Sequence, residues 1–134
     1  MNCIIQMMED SNADFFCLKE MTAYSMTRVL EAPFIRKEYF VSGNHISGYG
    51  VLIASRYPAF FYESPFPTLQ GRSLLICEPI NGINGKPFLI GTVHLESGAP
   101  NGGIRIKQME LVINAMKSTV NHIIMGDFNF DSTQ

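Results

Sequence analysis

The chain has 134 residues, 46% of them hydrophobic and 16% charged, with a formal net charge of −2. That length suits one domain, and the composition excludes a disordered chain and a broad basic surface for nucleic acid, while leaving room for a small anion site. No apolar run approaches the roughly 20 residues of a membrane helix, and the start lacks the basic-then-apolar pattern of a secretory signal.

Ile4, Met7 and Met8 share a helical face, so the residues before Ser11 read as a helix that begins at or before Met1. Asp14 to Lys19 reads as a buried strand closing on Glu20. Thr22 can cap a second helix whose apolar side is Tyr24, Val29 and Leu30 and which ends before Pro33. Glu38 to Val41 reads as a strand, followed by a loop in which Gly43, Gly48 and Gly50 are turn residues, since no lysine follows in phosphate-loop register. Val51 to Ala54 is a further strand, stopped by Pro58, and Pro65 and Pro67 mark a loop. Leu74 to Cys77 and Phe88 to Ile90 flank Asn81-Gly82-Ile83-Asn84-Gly85, a hairpin signal. From Arg105 to Ser118, Met109, Val112, Ala115 and Met116 recur at helical spacing, which predicts a helix laid on a sheet with its methionines in the core. That helix leads into a strand at Ile123, Ile124 and Met125, so the class is α/β with a mixed sheet.

Cys3, Cys17 and Cys77 are odd in number and widely spaced. Cys3 and Cys17 sit in apolar company, which predicts buried thiols in a reducing, intracellular compartment, nuclear or cytoplasmic. Zinc is not expected, because paired-cysteine spacing is absent and His45, His94 and His122 are scattered.

Three apolar runs end on polar side chains. One closes on Glu20, one on His94 and Glu96, and one on Asp127 and Asn129. Ligands in open α/β sheets gather at the carboxyl ends of strands, so these residues are the first candidates for a shared site. The period of two predicts that Asp127 and Asn129 point to one side, and Gly126 before them is read as leaving space for a ligand. Each has a plainer reading: a solvated Glu20, a structural His94, and a turn in which Asp127 and Asn129 bond local backbone. Arg56, Arg72, Arg105 and Lys107 are available for a phosphate, or else lie solvated on the surface.

The order of these motifs resembles the endonuclease/exonuclease/phosphatase superfamily of metal-dependent phosphoesterases. Phe16-Cys17-Leu18-Lys19-Glu20 is similar to its metal-ligand strand, with Lys19 where glutamine is usual, and Gly126-Asp127-Phe128-Asn129 to its most recognisable tetrapeptide. His94-Leu95-Glu96-Ser97 resembles its histidine strand, followed at the expected distance by Arg105 and Gln108. Within the superfamily, this histidine segment, Gly48-Tyr49-Gly50 and Arg72 before Leu74-Leu75 are similar to the 5′-tyrosyl-DNA phosphodiesterases, although Phe130-Asp131 stands where those carry a basic residue.

The resemblance implies a partial two-sheet α/β sandwich of the deoxyribonuclease-like type and a magnesium-dependent phosphodiesterase, with manganese as the alternate ion. Its substrate would be DNA carrying a 5′-tyrosyl adduct, in DNA repair, or another phosphoester. Glu20 would bind the metal and Asp127 would orient or deprotonate the attacking water. Asn129 would hold that water or the phosphate, and His94 would donate to a nonbridging oxygen. Ser97 and Arg72 would contact substrate, while Glu96 is equally readable as a surface or packing residue. Counterparts of the family's first strand with its asparagine and of its final Asp-His segment are not found. Residues 1–134 are therefore expected to form one incomplete domain that is marginally stable or aggregates, exposes Phe88, Ile90, Ile123 and Met125, and leaves activity of the chain alone open. The alternatives are a non-catalytic remnant, or another superfamily phosphoesterase such as a nuclease, deadenylase or lipid phosphatase.

Overall fold

A computed structural model of the chain describes residues 2–43 and 46–130; His45 and Asp131 lie outside the described residues. Helix α1 (Asn2–Ser11) leads into strand β1 (Phe15–Met21), helices α2 (Ala23–Glu31) and α3 (Pro33–Glu38), and strands β2 (Phe40–Val41) and β3 (Gly50–Ser55). The second half runs β4 (Ala59–Pro65), β5 (Ser73–Pro79), β6 (Leu89–His94), a single 3-10 turn (Ala99–Asn101), α4 (Gly102–Met116) and β7 (His122–Asp127). The strands form two sheets, ordered β1-β3-β2 and β4-β5-β6-β7. Among the described residues only β6 and β7 pair in parallel, and α4 makes the crossover between them that a parallel pair requires.

Alternation along the strands sorts the side chains into layers. Ile53, Leu75, Cys77 and Ile90 pack between the two sheets. Leu52 and Ala54 turn the other way and meet Met8, Val29 and Ile35 of the first three helices. Leu74, Leu89 and Val93 face Val112 and Met116 of α4, so the sandwich has helices on both outer faces. Each sheet therefore has a covered face on either side, which explains the near-continuous burial of β3, β5 and β6.

The hairpin between β5 and β6, the α4 helix with its buried methionine, the Thr22 cap and the parallel final strand are as expected. Thr22 and Ser25 form a reciprocal cap, in which Thr22 Oγ1 accepts from Ser25 N at 3.2 Å and Ser25 Oγ accepts from Thr22 N at 2.7 Å. Several expectations are corrected. In α1 the buried face is Met8 with Ile5, while Ile4 and Met7 are exposed, and in α2 Val29 is buried but Tyr24 and Leu30 are not. Pro33 starts α3 rather than only ending α2, because proline needs no backbone partner in a first turn. Strand β4 was not among the expected elements: it is an edge strand whose apolar start, Ala59-Phe60-Phe61-Tyr62, gives way to Glu63 and Ser64, and four of its seven side chains are exposed. Cys3 is exposed on α1. Ile90 is buried and Met125 and Phe88 are half-buried, because the β1-β3-β2 sheet covers them; of the four, Ile123 alone is exposed.

Candidate active site

Strands β6 and β7 lie in parallel register with His94 directly beside Asp127, and β1 packs near both. Their carboxyl ends thus open on one rim of the sandwich, where an imidazole and two carboxylates act on one another. Burial lowers the His94 pKa below its ordinary 6.5, and the neighbouring Arg72 guanidinium lowers it further; Asp127 and Glu20 push the other way without prevailing. The ring is therefore neutral at pH 7.

Arg72 Nη1 lies 2.9 Å from His94 Nδ1. A guanidinium can only donate, so Nδ1 is the acceptor and the ring proton resides on Nε2. That Nε2 points toward Asp127, whose Oδ2 is 3.8 Å away, too far for a hydrogen bond. His94 thus presents a neutral N–H donor at the rim.

Arg72 is itself buried, with 7% of its surface exposed, yet no carboxylate pairs with it among the described residues. Its second terminal nitrogen donates to Gln70 Oε1 at 3.1 Å, its charge lies 5.0 Å from the centre of the Tyr49 ring, and its Nε has no hydrogen-bond partner. A buried cation without an anion is costly, which makes Arg72 a candidate to meet a negatively charged group. Tyr49, Gly50, Arg72 and His94 line a small cleft here, and Glu20 and Tyr49 share a wider one of about 300 Å³ beside it.

Glu20 sits at a bulge in β1, where pairing with β3 slips between Leu18 and Met21, and its backbone is left-handed with φ 55°. The bulge re-aims the carboxylate at the strand end, and the left-handed turn costs about 1–2 kcal/mol in a residue with a β-carbon. Asn129 is left-handed too, with φ 52°. The alternation predicted for Asp127 and Asn129 does not hold, because β7 ends at Asp127 and a turn takes over. Asn129 N donates to Asp127 Oδ1 at 3.0 Å, and Asn129 Nδ2 donates to Leu95 O at 2.8 Å. The pair is brought together by that turn, so the plainer reading of local backbone bonds is also present.

Other residues separate. Arg56 lies at the far end of β3 from Glu20, paired with Asp14 and Glu38. Arg105 is buried, donating to the carbonyls of Glu96 and Gly98 at 3.0 and 2.8 Å, and Lys107 is exposed on α4. Ser97 is close by, but its hydroxyl hydrogen is directed at Gln70 Oε1, 2.9 Å away. Gly126 has no space to offer a ligand: an added β-carbon there would meet Val93 of β6. Sequence reasoning missed Gln70 and Thr68, whose polar loop positions carry no periodic signal.

A family model described as Endonuclease/Exonuclease/phosphatase family matches residues 1–134. The chain belongs to this family. Its sandwich is the family fold, shared with solved structures such as humanized D. rerio TDP2 carrying 14 mutations, at 22% identity and a TM-score of 0.86, covering 98% of this chain and 59% of that one. A D. rerio TDP2 complexed with single-strand DNA product is similar at 22% identity and TM-score 0.81, covering 98% and 54%. The human Nocturnin catalytic domain with bound sulfate anion is similar at 16% identity and TM-score 0.77, covering 99% and 58%. The chain therefore spans less than two thirds of each of these structures' chains. A search of curated protein sequences found no match.

Proposed function

We propose that this site hydrolyses phosphoester bonds with the help of a divalent cation, and that its substrate is DNA bearing a 5′-tyrosyl adduct. The observation that carries the reading is the buried, anion-free Arg72 held against a neutral, N–H-donating His94. A phosphate oxygen satisfies both. A single-stranded DNA product on a structurally similar protein supports a nucleic-acid phosphoester, and Tyr49 beside Arg72 supplies an aromatic wall for an aromatic leaving group.

Glu20 fits the metal. Its carboxylate is exposed, with no hydrogen bond or ion pair among the described residues, and magnesium is commonly held by one or two carboxylates plus water and substrate phosphate. Magnesium, or manganese in its place, would supply Lewis-acid polarisation of a phosphoryl oxygen. Asp127 Oδ2 faces the rim and accepts the proton of the attacking water, while Asn129, with one amide hydrogen committed to Leu95 O, has its carbonyl oxygen left to orient that water. His94 Nε2–H donates to a nonbridging oxygen as negative charge grows, and Arg72 compensates that charge. Ser97 reaches the phosphate by turning its hydroxyl from Gln70.

One observation favours a second reading, a chain that binds phosphate without cleaving it. Among the described residues no set of three or more His, Cys, Asp or Glu side chains is placed to hold a metal. The discriminating experiment presents magnesium and a panel of tyrosyl-DNA, abasic DNA and lipid phosphates. Release of tyrosine alone supports the proposal. Cleavage of another member reassigns the substrate, and phosphate binding without any turnover selects the second reading.

A further inference from the structure

Glu96 is fully buried, and none of the steps above uses it. Its Oε1 accepts from Leu69 N at 2.8 Å, and its Oε2 accepts from Thr68 Oγ1 at 2.6 Å and, more weakly, from Gln108 Nε2 at 3.4 Å. Only a group that accepts at both oxygens fits these donors. Thr68 Oγ1 in turn accepts from Gln70 N and Arg72 N, each at 3.0 Å. Both lone pairs of the hydroxyl are thereby filled, so its hydrogen must go to Glu96. The loop between β4 and β5 is thus pinned at three backbone amides, of Leu69, Gln70 and Arg72, by two side chains. Gln108 of α4 closes the back, accepting from Glu96 N at 2.9 Å and donating to Pro67 O at 3.0 Å.

We propose that Glu96 is a positioning residue: through Thr68 it holds the 68–72 loop at the one setting in which Arg72 and Gln70 reach His94 and Ser97. The path has few links, from Glu96 Oε2 to Thr68 Oγ1 to Arg72 N, and then from Arg72 Nη1 to His94 Nδ1. Gln70 Oε1 collects Arg72 Nη2, Ser97 N and Ser97 Oγ on the same loop. A loop that lost its pin would carry both the guanidinium and the amide away together. The proposal rests on the phosphoester reading for its ligand arm only.

The test uses nitrogen NMR of the His94 ring at neutral pH together with titration of inorganic phosphate, in the wild type, Glu96→Gln, Thr68→Val and Thr68→Ser. In the wild type the proton is expected on Nε2. Glu96→Gln and Thr68→Val are expected to mix the two ring tautomers and to weaken phosphate about tenfold, the size of one lost charge-assisted bond. Thr68→Ser keeps the hydroxyl and is expected to restore both readouts, which a mere loss of packing would not do. Thr68 is half-buried, so its valine variant decides the matter if Glu96→Gln fails to fold. Wild-type tautomer and phosphate affinity in the folded variants would overturn the proposal. A wild type that binds no phosphate would overturn the phosphoester reading, while the tautomer would still judge Glu96.

Discussion

The β-carbon that Gly126 lacks would sit 2.2 Å from the carbonyl oxygen of Val93, its partner on β6. Contacts that short do not occur, so the two parallel strands approach as they do only because residue 126 is glycine. His94 and Asp127 are the next pair along this register. Gly126→Ala is expected to force the strands apart at the site and to destabilise the fold by about 3 kcal/mol, the upper end for overpacking. Urea denaturation measures the loss, and an unchanged midpoint would show that the strands yield freely.

Glu20 holds a left-handed backbone that glycine adopts without strain. Glu20→Gly is therefore expected to stabilise the fold by about 1 kcal/mol, relieving the cost of that conformation. The same change removes the carboxylate proposed to hold the metal, so manganese affinity is expected to fall as the thermal midpoint rises. A variant that loses stability would show that the added freedom of the unfolded glycine chain outweighs the relieved strain.

The lowered His94 pKa fixes the direction of a pH effect. As pH falls, the unfolded chain takes up this proton first, near 6.5, while the folded chain still resists it. The contribution of the neutral ring is complete above 6.5 and is lost as pH drops from there toward the folded value. Denaturation of wild type and His94→Gln across this window should show their stability difference moving against the wild type on acidification. A constant difference would contradict the assignment of a buried neutral ring.

Burial holds Cys17 up to about 11 and Cys77 up to about 12, whereas Cys3 is exposed. Thiolate is the reacting form, so a thiol reagent near pH 8 should label Cys3 fast and the other two only on unfolding. Mass spectrometry of the labelled peptides reads this directly. Rapid labelling of Cys77 would mean that the space between the sheets opens readily.

Glu20, His94, Asp127 and Asn129 were legible because each ends an apolar run, and strand ends gather at one rim by topology. The means of holding them were not. The bulge at Glu20 interrupts a pairing with β3 that no local pattern records. The loop carrying Thr68 and Gln70 is polar and aperiodic, and its hydrogen bonds reach Glu96 and Ser97 across 27 or 28 residues of chain. Arg105 reads as a surface cation from composition, yet its guanidinium is buried against the turn that follows β6. In helices α1 and α2, spacing alone did not choose the buried face, because Ile4 and Tyr24 lie beside it rather than on it.

Asp127 is proposed to activate water at a phosphorus held by Arg72 and His94. Hydrolysis of a chromogenic phosphodiester by the chain in magnesium, compared with Asp127→Asn, tests it most directly. Measurable, magnesium-dependent turnover is expected in the wild type and a kcat about a hundredfold lower or worse in the variant, with phosphate affinity retained. An Asp127→Asn protein that turns over at the full wild-type rate would contradict it.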